Sequence, residues 1–336
     1  MKRRSFYGSV MIAVLVTMVL VVSPLAGLAA EISLKLAHVA PGGSFFDISS
    51  IKLAERVAAN TNGKVEIKVF NNSQLGSAPE LFAQVKTGAI DIHLIDVGAV
   101  SMVEPDPKNL YVTQAPYLFD SQAHLRKFYQ SDLGQAMLAK VDKANNMKYL
   151  GYVGDLSPRG FATTNRRVVT PADLNGLKLR VPPYPLFVGA YKAWGATPTP
   201  VSPKELYTSV KSGMVDGMDH NLVDLHNTKY YEIQKFYIAI DYLFSGMGCW
   251  INAKKWESFS EEIKSAVLKS VQETDVYIGE FMKNQVGEAQ KTFKEAGLEI
   301  IHPDLKPWKE IAEKEAVTND GKFWEKGLYD KIRALK

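Results

Sequence analysis

Cysteine occurs once in the 336 residues, at position 249. A single thiol closes no internal disulfide and builds no cysteine-based metal site. Histidine is scarce as well: the six residues stand singly at 38, 93, 124, 220, 226 and 302. No G-x-S-x-G, H-E-x-x-H or P-loop is present, so a hydrolase or nucleotide enzyme finds no support. No enzyme, cofactor or metal is expected, although Asp219 with His220 is kept as a weaker metal alternative. An excess of charge is missing too. Without Lys2, Arg3 and Arg4, the 40 Lys and Arg fall to 37, against 36 Asp and Glu. That balance gives no electrostatic case for nucleic acid. Long apolar runs are absent except for Val10 to Val22, which at 13 residues is too short to span a bilayer comfortably.

That run sits in a segment built for export. Lys2, Arg3 and Arg4 precede it, Pro24 breaks it, and Gly27-Leu28-Ala29-Ala30 offers small residues for cleavage after Ala29 or Ala30. Residues 1–30 are therefore read as a signal peptide, with an uncleaved anchor as the rival. No Cys follows the run to accept a lipid. The mature chain is long enough for two domains with proper cores, and a periplasmic location is expected.

Fifteen residues recur 125 positions apart. Residues 77–91 read SAPELFAQVKTGAID and residues 202–216 read SPKELYTSVKSGMVD, with seven identities. Ser followed three residues later by Glu is a capping box. Leu, an aromatic and Val form an apolar helix stripe. Gly stops the helix, because a left-handed cap costs it little. A short β-branched run ending in Asp reads as a buried strand. The repeat argues for two α/β lobes built on one plan.

The flanking segments fit that plan. Ile32, Leu34 and Leu36 alternate in a strand, and Pro41-Gly42-Gly43-Ser44 opens a helix to about Asn60. Strands are predicted at Val65–Phe70, Ile90–Ile95 and Met147–Val153, with helix from Ser121 to about Asn145. Such β-α-β-α-β order predicts mostly parallel sheets flanked by helices. A second lobe begins near Ser157, with a strand at Leu177–Val181 and a helix at Leu186–Trp194. Phe236–Tyr242 is predicted as a strand returning the chain to the first lobe. Ser260 to about Ala296 reads as one helix, about 54 Å long and able to lie across both lobes. The expected division is 31–155 for lobe I with a return segment near 243–260, 156–242 for lobe II, and 260–336 for the bridging helix and C-terminal helices.

Ligands of open α/β sheets bind beyond the carboxyl ends of the strands. Arg180 lies at such an end, opposite in face to Leu177, Leu179 and Val181 and followed by Pro182-Pro183. A guanidinium there suits a carboxylate in a two-bond fork; a solvated strand-end arginine is the alternative. Arg159 marks the entry to the second lobe, as a cleft cation or a surface one. Asp219, His220 and Asn221 are placed in a strand-exit loop that offers polar contacts, with Asp96 opening the matching loop of lobe I. Tyr184 is the best aromatic candidate for the cleft.

Together these residues resemble the periplasmic solute-binding proteins of tripartite ATP-independent (TRAP) transporters. Arg159-Gly160-Phe161, the stretch Leu174 to Pro182, Trp194-Gly195-Ala196-Thr197-Pro198 and Val215-Asp216-Gly217 carry the likeness in the second half. Gly63-Lys64-Val65-Glu66-Ile67, Ser73-Gln74-Leu75-Gly76 and Pro116-Tyr117-Leu118-Phe119 carry it in the first. The resemblance spans essentially the whole mature chain. It implies a two-lobed Venus-flytrap fold that closes on a small organic acid and delivers it to TRAP permease membrane subunits. It implies that Arg180 holds the ligand carboxylate and that Arg159 is the second family arginine. A monomer is expected. The alternative is a module presenting an organic acid to a membrane sensor.

The chain departs from the family where Asp216-Gly217-Met218-Asp219-His220-Asn221 replaces Asp-Gly-x-Glu-Asn-Pro, so that His220 stands for a ligand-contacting Asn. Ser77-Ala78-Pro79 and Asp96-Val97-Gly98-Ala99 lack the extra polar residues of sialic-acid-binding members, and Tyr184 and Pro203 make the second-lobe wall more apolar. A small or partly apolar acid is expected rather than a sugar acid, with a sulfonate as an option.

Overall fold

The computed structural model describes residues 30–106 and 108–335. The predicted signal peptide lies almost wholly outside the described residues. The first lobe opens with β1 (Ile32–Ala37), α1 (Phe45–Asn60), β2 (Val65–Phe70), α2 (Ala78–Thr87) and β3 (Ile92–Asp96). After two 3-10 turns come α3 (Gln122–Gln130), α4 (Asp132–Asn145) and β4 (Met147–Asp155). The expected single helix over Ser121–Asn145 is thus two. Ser131 ends the first, its N–H bonded to the Lys127 carbonyl at 3.0 Å, and caps the second by accepting from the Gly134 N–H at 3.2 Å.

The second lobe holds β5 (Arg159–Thr163), β6 (Lys178–Val181), α5 (Pro185–Ala193), β7 (Thr197–Pro200), α6 (Leu206–Lys211), β8 (Gly217–Asn221), α7 (Leu222–Asn227) and β9 (Phe236–Leu243). The chain then runs through β10 (Gly246–Asn252), α8 (Ala253–Glu257), α9 (Glu261–Glu295), β11 (Glu299–Ile301), α10 (Lys306–Asn319) and α11 (Leu328–Arg333).

Two sheets form, ordered β2-β1-β3-β10-β4 and β11-β9-β5-β8-β6-β7. Read from β2 and from β7, they are the same arrangement. In each, three parallel strands are followed by one antiparallel strand that arrives by a crossing from the other lobe: β10 in the first sheet, β5 in the second. The sheets are mostly parallel, as expected. The returning strand differs from the expectation, because β9 stays in the second sheet and β10 makes the return. The two crossings, at 156–158 and 244–245, lie side by side, with Leu156 N–H donating to the Ser245 carbonyl at 3.0 Å.

The sequence repeat has a structural counterpart. Glu80 accepts from both the N–H and the hydroxyl of Ser77 at 2.7 Å, and Glu205 accepts from the Ser202 hydroxyl at 2.8 Å. Gly88 and Gly213 both take left-handed φ, 81° and 74°, where a side chain would be strained. The repeated Asp does not end a strand, as its apolar run suggested; it precedes one. Asp91 accepts from the Lys35 N–H at 2.8 Å and its own N–H donates to the Lys35 carbonyl at 3.0 Å. Asp216 does the same with Lys178, at 2.9 and 2.7 Å. Each Asp thus clasps the neighbouring parallel strand, and this fixes the register of the strand that follows it.

α9 runs for 35 residues, capped by the Ser260 hydroxyl, about 52 Å at helical rise. It buries Val267, Val271, Thr274 and Ile278 toward α1 and β4 of lobe I, and Ala289 and Phe293 toward α7 and β11 of lobe II. The helix therefore bridges both lobes. Lobe II has its own aromatic core, in which Trp194 stacks edge-on against Tyr191, Tyr242 and Trp308 with centroids 5.2–5.6 Å apart. Lys309 at the start of α10 lies over the Tyr117 ring, and the Tyr117 N–H donates to the Tyr242 carbonyl at 2.7 Å, which ties α10 to the end of β9.

Candidate ligand-binding site

A cavity of about 420 Å³ lies between the two sheets, at the carboxyl ends of β1, β3, β6 and β8. The repeat brings matching parts to it from both sides. Ser77, Ala78 and Pro79 at the start of α2 face Ser202, Pro203 and Leu206 of the second copy. Ile95 and His220, again 125 positions apart, both line it. Most of the remaining wall is apolar: Val39, Phe46, Ala99, Met102, Leu156, Pro182 and Phe187.

Five of the seven residues proposed from sequence line the cavity: Asp96, Arg159, Arg180, Tyr184 and His220. Asp219 and Asn221 do not line it. They belong to strand β8 rather than to a loop, and strand alternation turns them away where His220 turns in. Asp219 is fully buried behind Arg159, which donates to it in a close ion pair. Tyr191 and Tyr242 donate their hydroxyls to its other oxygen at 2.9 and 2.5 Å. Tyr242 gets there because β9 bulges: its pairing jumps from Arg159↔Leu243 to Phe161↔Ile238, with Asp241 at φ 44°. Asn221 caps α7, accepting from the Asp224 N–H at 2.8 Å and from the Ser157 hydroxyl at 2.9 Å.

The two arginines are electrostatically unlike. Burial opposes the charge of Arg159, but Asp219 holds its pKa well above the ordinary value. Its guanidinium also lies 5.3 Å over the Phe187 ring, a favourable cation–π placement. Arg180 is 3% exposed. Its Nε donates to the Val201 carbonyl at 2.9 Å and one terminal nitrogen to the Asp219 carbonyl at 3.4 Å. Among the described residues no ion pair holds it. Burial pulls its pKa down to about 10, against the nearby Asp219 charge, which raises it, and with the Arg159 charge, which lowers it further. A buried cation satisfied only by neutral carbonyls is costly, and an anion placed in the cavity would relieve that cost.

His220 is neutral, because burial and then the two arginines push its pKa far below the ordinary value. Its Nδ1 accepts from the Asn221 N–H at 3.1 Å, which assigns the proton to Nε2 and makes that nitrogen a donor. Tyr184, its phenol raised to about 12 by burial, packs on Phe187 at 5.7 Å. Asp96 caps the turn after β3, accepting from the Gly98 N–H at 2.8 Å and the Gln114 amide at 3.0 Å.

Sequence reasoning missed Asp224, Gln114, Ser44 and Tyr230, all on the cavity wall. Asp224 accepts from the Phe45 N–H at 2.7 Å, a hydrogen bond from α1 of lobe I to α7 of lobe II. The only sequence signal for it is its place three residues after the capping Asn221. Among the described residues no cluster of His, Cys, Asp and Glu suits a metal, and Asp219 is already committed to Arg159, so the Asp219–His220 metal alternative loses its ligand.

The profile of bacterial extracellular solute-binding proteins, family 7, matches residues 36–319. The chain belongs to this family. Family 7 proteins bind solutes for transport and are not enzymes, and the family is extracellular or periplasmic. The 2,3-diketo-L-gulonate-binding periplasmic protein YiaO of Escherichia coli (strain K12) is 30% identical over 258 residues, 76% of each chain. The sialic acid-binding periplasmic protein SiaP of Vibrio cholerae is 28% identical over 294 residues, 87% of this chain and 89% of that one. A TRAP periplasmic solute-binding protein from Xanthobacter autotrophicus Py2, with bound β-D-galacturonate, superposes with a TM-score of 0.80 at 27% identity, over 90% of this chain and all of the other. No helix among the described residues is long and apolar enough to cross a membrane.

Proposed function

We propose that this family 7 protein captures a small organic acid with a partly apolar body in the periplasm and passes it to TRAP-type permease subunits. One observation carries the reading: Arg180 is a buried guanidinium that among the described residues makes no ion pair, in the wall of a cavity whose lining is otherwise largely apolar. A carboxylate there forms two charge-assisted hydrogen bonds. His220 Nε2–H and Tyr184 are proposed as further ligand contacts, with Arg159 as a paired cation at the cavity edge. Asp96 closes the lobe-I side, and Asp219 and Asn221 act from behind the wall. A sulfonate has the same charge and fits the same anchor. The moving bodies are proposed as 31–155 with 243–260, and 156–242, bridged by 260–336, the whole working as a monomer. Residues 1–30 are proposed to be cleaved on export.

The test is a thermal-shift panel of organic acids on refolded, ligand-stripped protein. Small carboxylates and sulfonates with apolar bodies should raise the melting temperature, by the stabilisation of about 2.7 kcal/mol that a hundredfold excess over Kd supplies. Sialic acid should give no shift. A strong response to sialic acid alone would reverse the substrate reading, and no response to any acid would overturn the function.

A further inference from the structure

The cavity carries carboxylates of its own. Asp96 lies at its lobe-I end and Asp224 on the seam between the lobes. Both are fixed by amide donors: Asp96 by Gly98 and Gln114, Asp224 by the Phe45 N–H and the Asn221 amide at 3.1 Å. Among the described residues neither is in an ion pair. Asp219 is a third carboxylate just behind the wall. Two guanidiniums therefore stand against three carboxylates around one cavity, and no lysine lines it.

A ligand with one anionic group finds its counter-charge in Arg180. A second anionic group on the same ligand finds none. Arg159 is held by Asp219, His220 is neutral, and the rest of the lining supplies no further cation: it is apolar, acidic or made of neutral hydroxyls and the Gln114 amide, which already donates to Asp96. Burial already raises the pKa of Asp96 and of Asp224. A nearby anion would raise them further, so a diacid meets repulsion or has to bring in a proton.

We propose that Asp96 and Asp224 make this site selective for acids with a single anionic group and turn away dicarboxylates. The far end of the accepted ligand is neutral: an apolar group, or a hydroxyl that donates to one of these carboxylates. The inference rests on the acid-binding reading above and deepens it.

Calorimetry on the ligand-stripped full chain with matched pairs tests it: 4-hydroxybutyrate against succinate, 5-hydroxypentanoate against glutarate, and the strongest monoacid of the panel against its ω-carboxylated counterpart. The diacid should bind about a hundredfold more weakly, the effect of like charge in a partly buried site. Asp96→Asn keeps an oxygen for the Gly98 N–H and should narrow the gap at least about tenfold. Diacids binding within about tenfold of the monoacids in the wild type would overturn the inference, as would a gap unchanged in both Asp96→Asn and Asp224→Asn. Failure of every acid to bind would overturn the proposed function itself, and so is distinguishable.

Discussion

Arg159 is ion-paired with Asp219 across the antiparallel pair β5–β8, and this contact leaves Arg180 as the cavity arginine without an ion pair among the described residues. The Asp219 carboxylate is saturated by Arg159, Tyr191 and Tyr242, so Arg180 reaches only its backbone carbonyl. Two residues of the same type, on β5 and β6 with β8 between them, thereby sit in different electrostatic surroundings.

Replacing Arg180 by Lys keeps the charge and loses the planar fork. The cognate acid should bind about 2–4 kcal/mol more weakly, roughly 30- to 1000-fold in Kd. Folding should change by about 1 kcal/mol or less, since only bonds to neutral carbonyls are lost. Calorimetry beside a melting curve reads both. Affinity near wild type in the folded variant would move the anchor to Arg159.

Asp219→Asn strands Arg159 inside the second lobe. The expected cost is roughly 3–5 kcal/mol of stability, because a buried charge loses its partner. Adding Arg159→Met should recover part of it, and the double-mutant cycle gives the coupling. An Asp219→Asn protein as stable as the wild type would show that the pair is not load-sharing in the way its geometry indicates.

Closure is the third expectation. Asp224 already bonds the Phe45 N–H across the cleft, and the paired crossings at 156–158 and 244–245 leave few backbone angles to turn. A ligand touching both lobes favours the closed arrangement. Small-angle scattering should show a smaller radius of gyration at saturating ligand, and an unchanged profile would count against a moving hinge.

The fourth concerns acid. His93 is fully buried, and burial lowers its pKa from 6.5 to about 4. Its Nδ1 faces the Ala37 carbonyl at 2.8 Å. Above pH 6.5 the ring is neutral folded or unfolded, and there is no penalty. As pH falls from 6.5 toward 4, only the unfolded chain takes up the proton, so stability is lost, by roughly 3 kcal/mol in all. Other buried groups titrate in this range, so the comparison is with His93→Gln. Urea midpoints at pH 7 and 4.5 should fall less in His93→Gln than in the wild type, and equal falls would show that His93 does not carry the effect.

Much of this was legible from local pattern. Capping boxes, left-handed glycines and apolar stripes are short-range chemistry, so the repeated units and the 35-residue helix were read closely. Strand alternation and the Pro182-Pro183 stop put Arg180 at a strand end but leave it open between cleft and solvent; the family resemblance favours the cleft, and Arg180 does line the cavity. Asp219 and His220 were assigned to one loop because nothing in Asp216-Gly217-Met218-Asp219 tells where the turn ends and the strand begins. The Asp216 clasp to Lys178, 38 residues away, settles that boundary. Asp224 was missed because its role depends on a backbone amide 179 residues distant.

The sequence alone determined most of the elements and the two-lobe plan, since these follow from side-chain periodicity, caps and a family pattern, and it pointed to Arg180 as the proposed anchor for an acid. Only the tertiary structure decided that Arg159 is ion-paired and Arg180, among the described residues, is not, that His220 turns inward while Asp219 turns away, and that the carboxylates of Asp96 and Asp224 line the cavity. Those are matters of burial and of contacts between segments far apart in the chain. Electrostatics in a cleft depends on which charges meet and how little water remains between them.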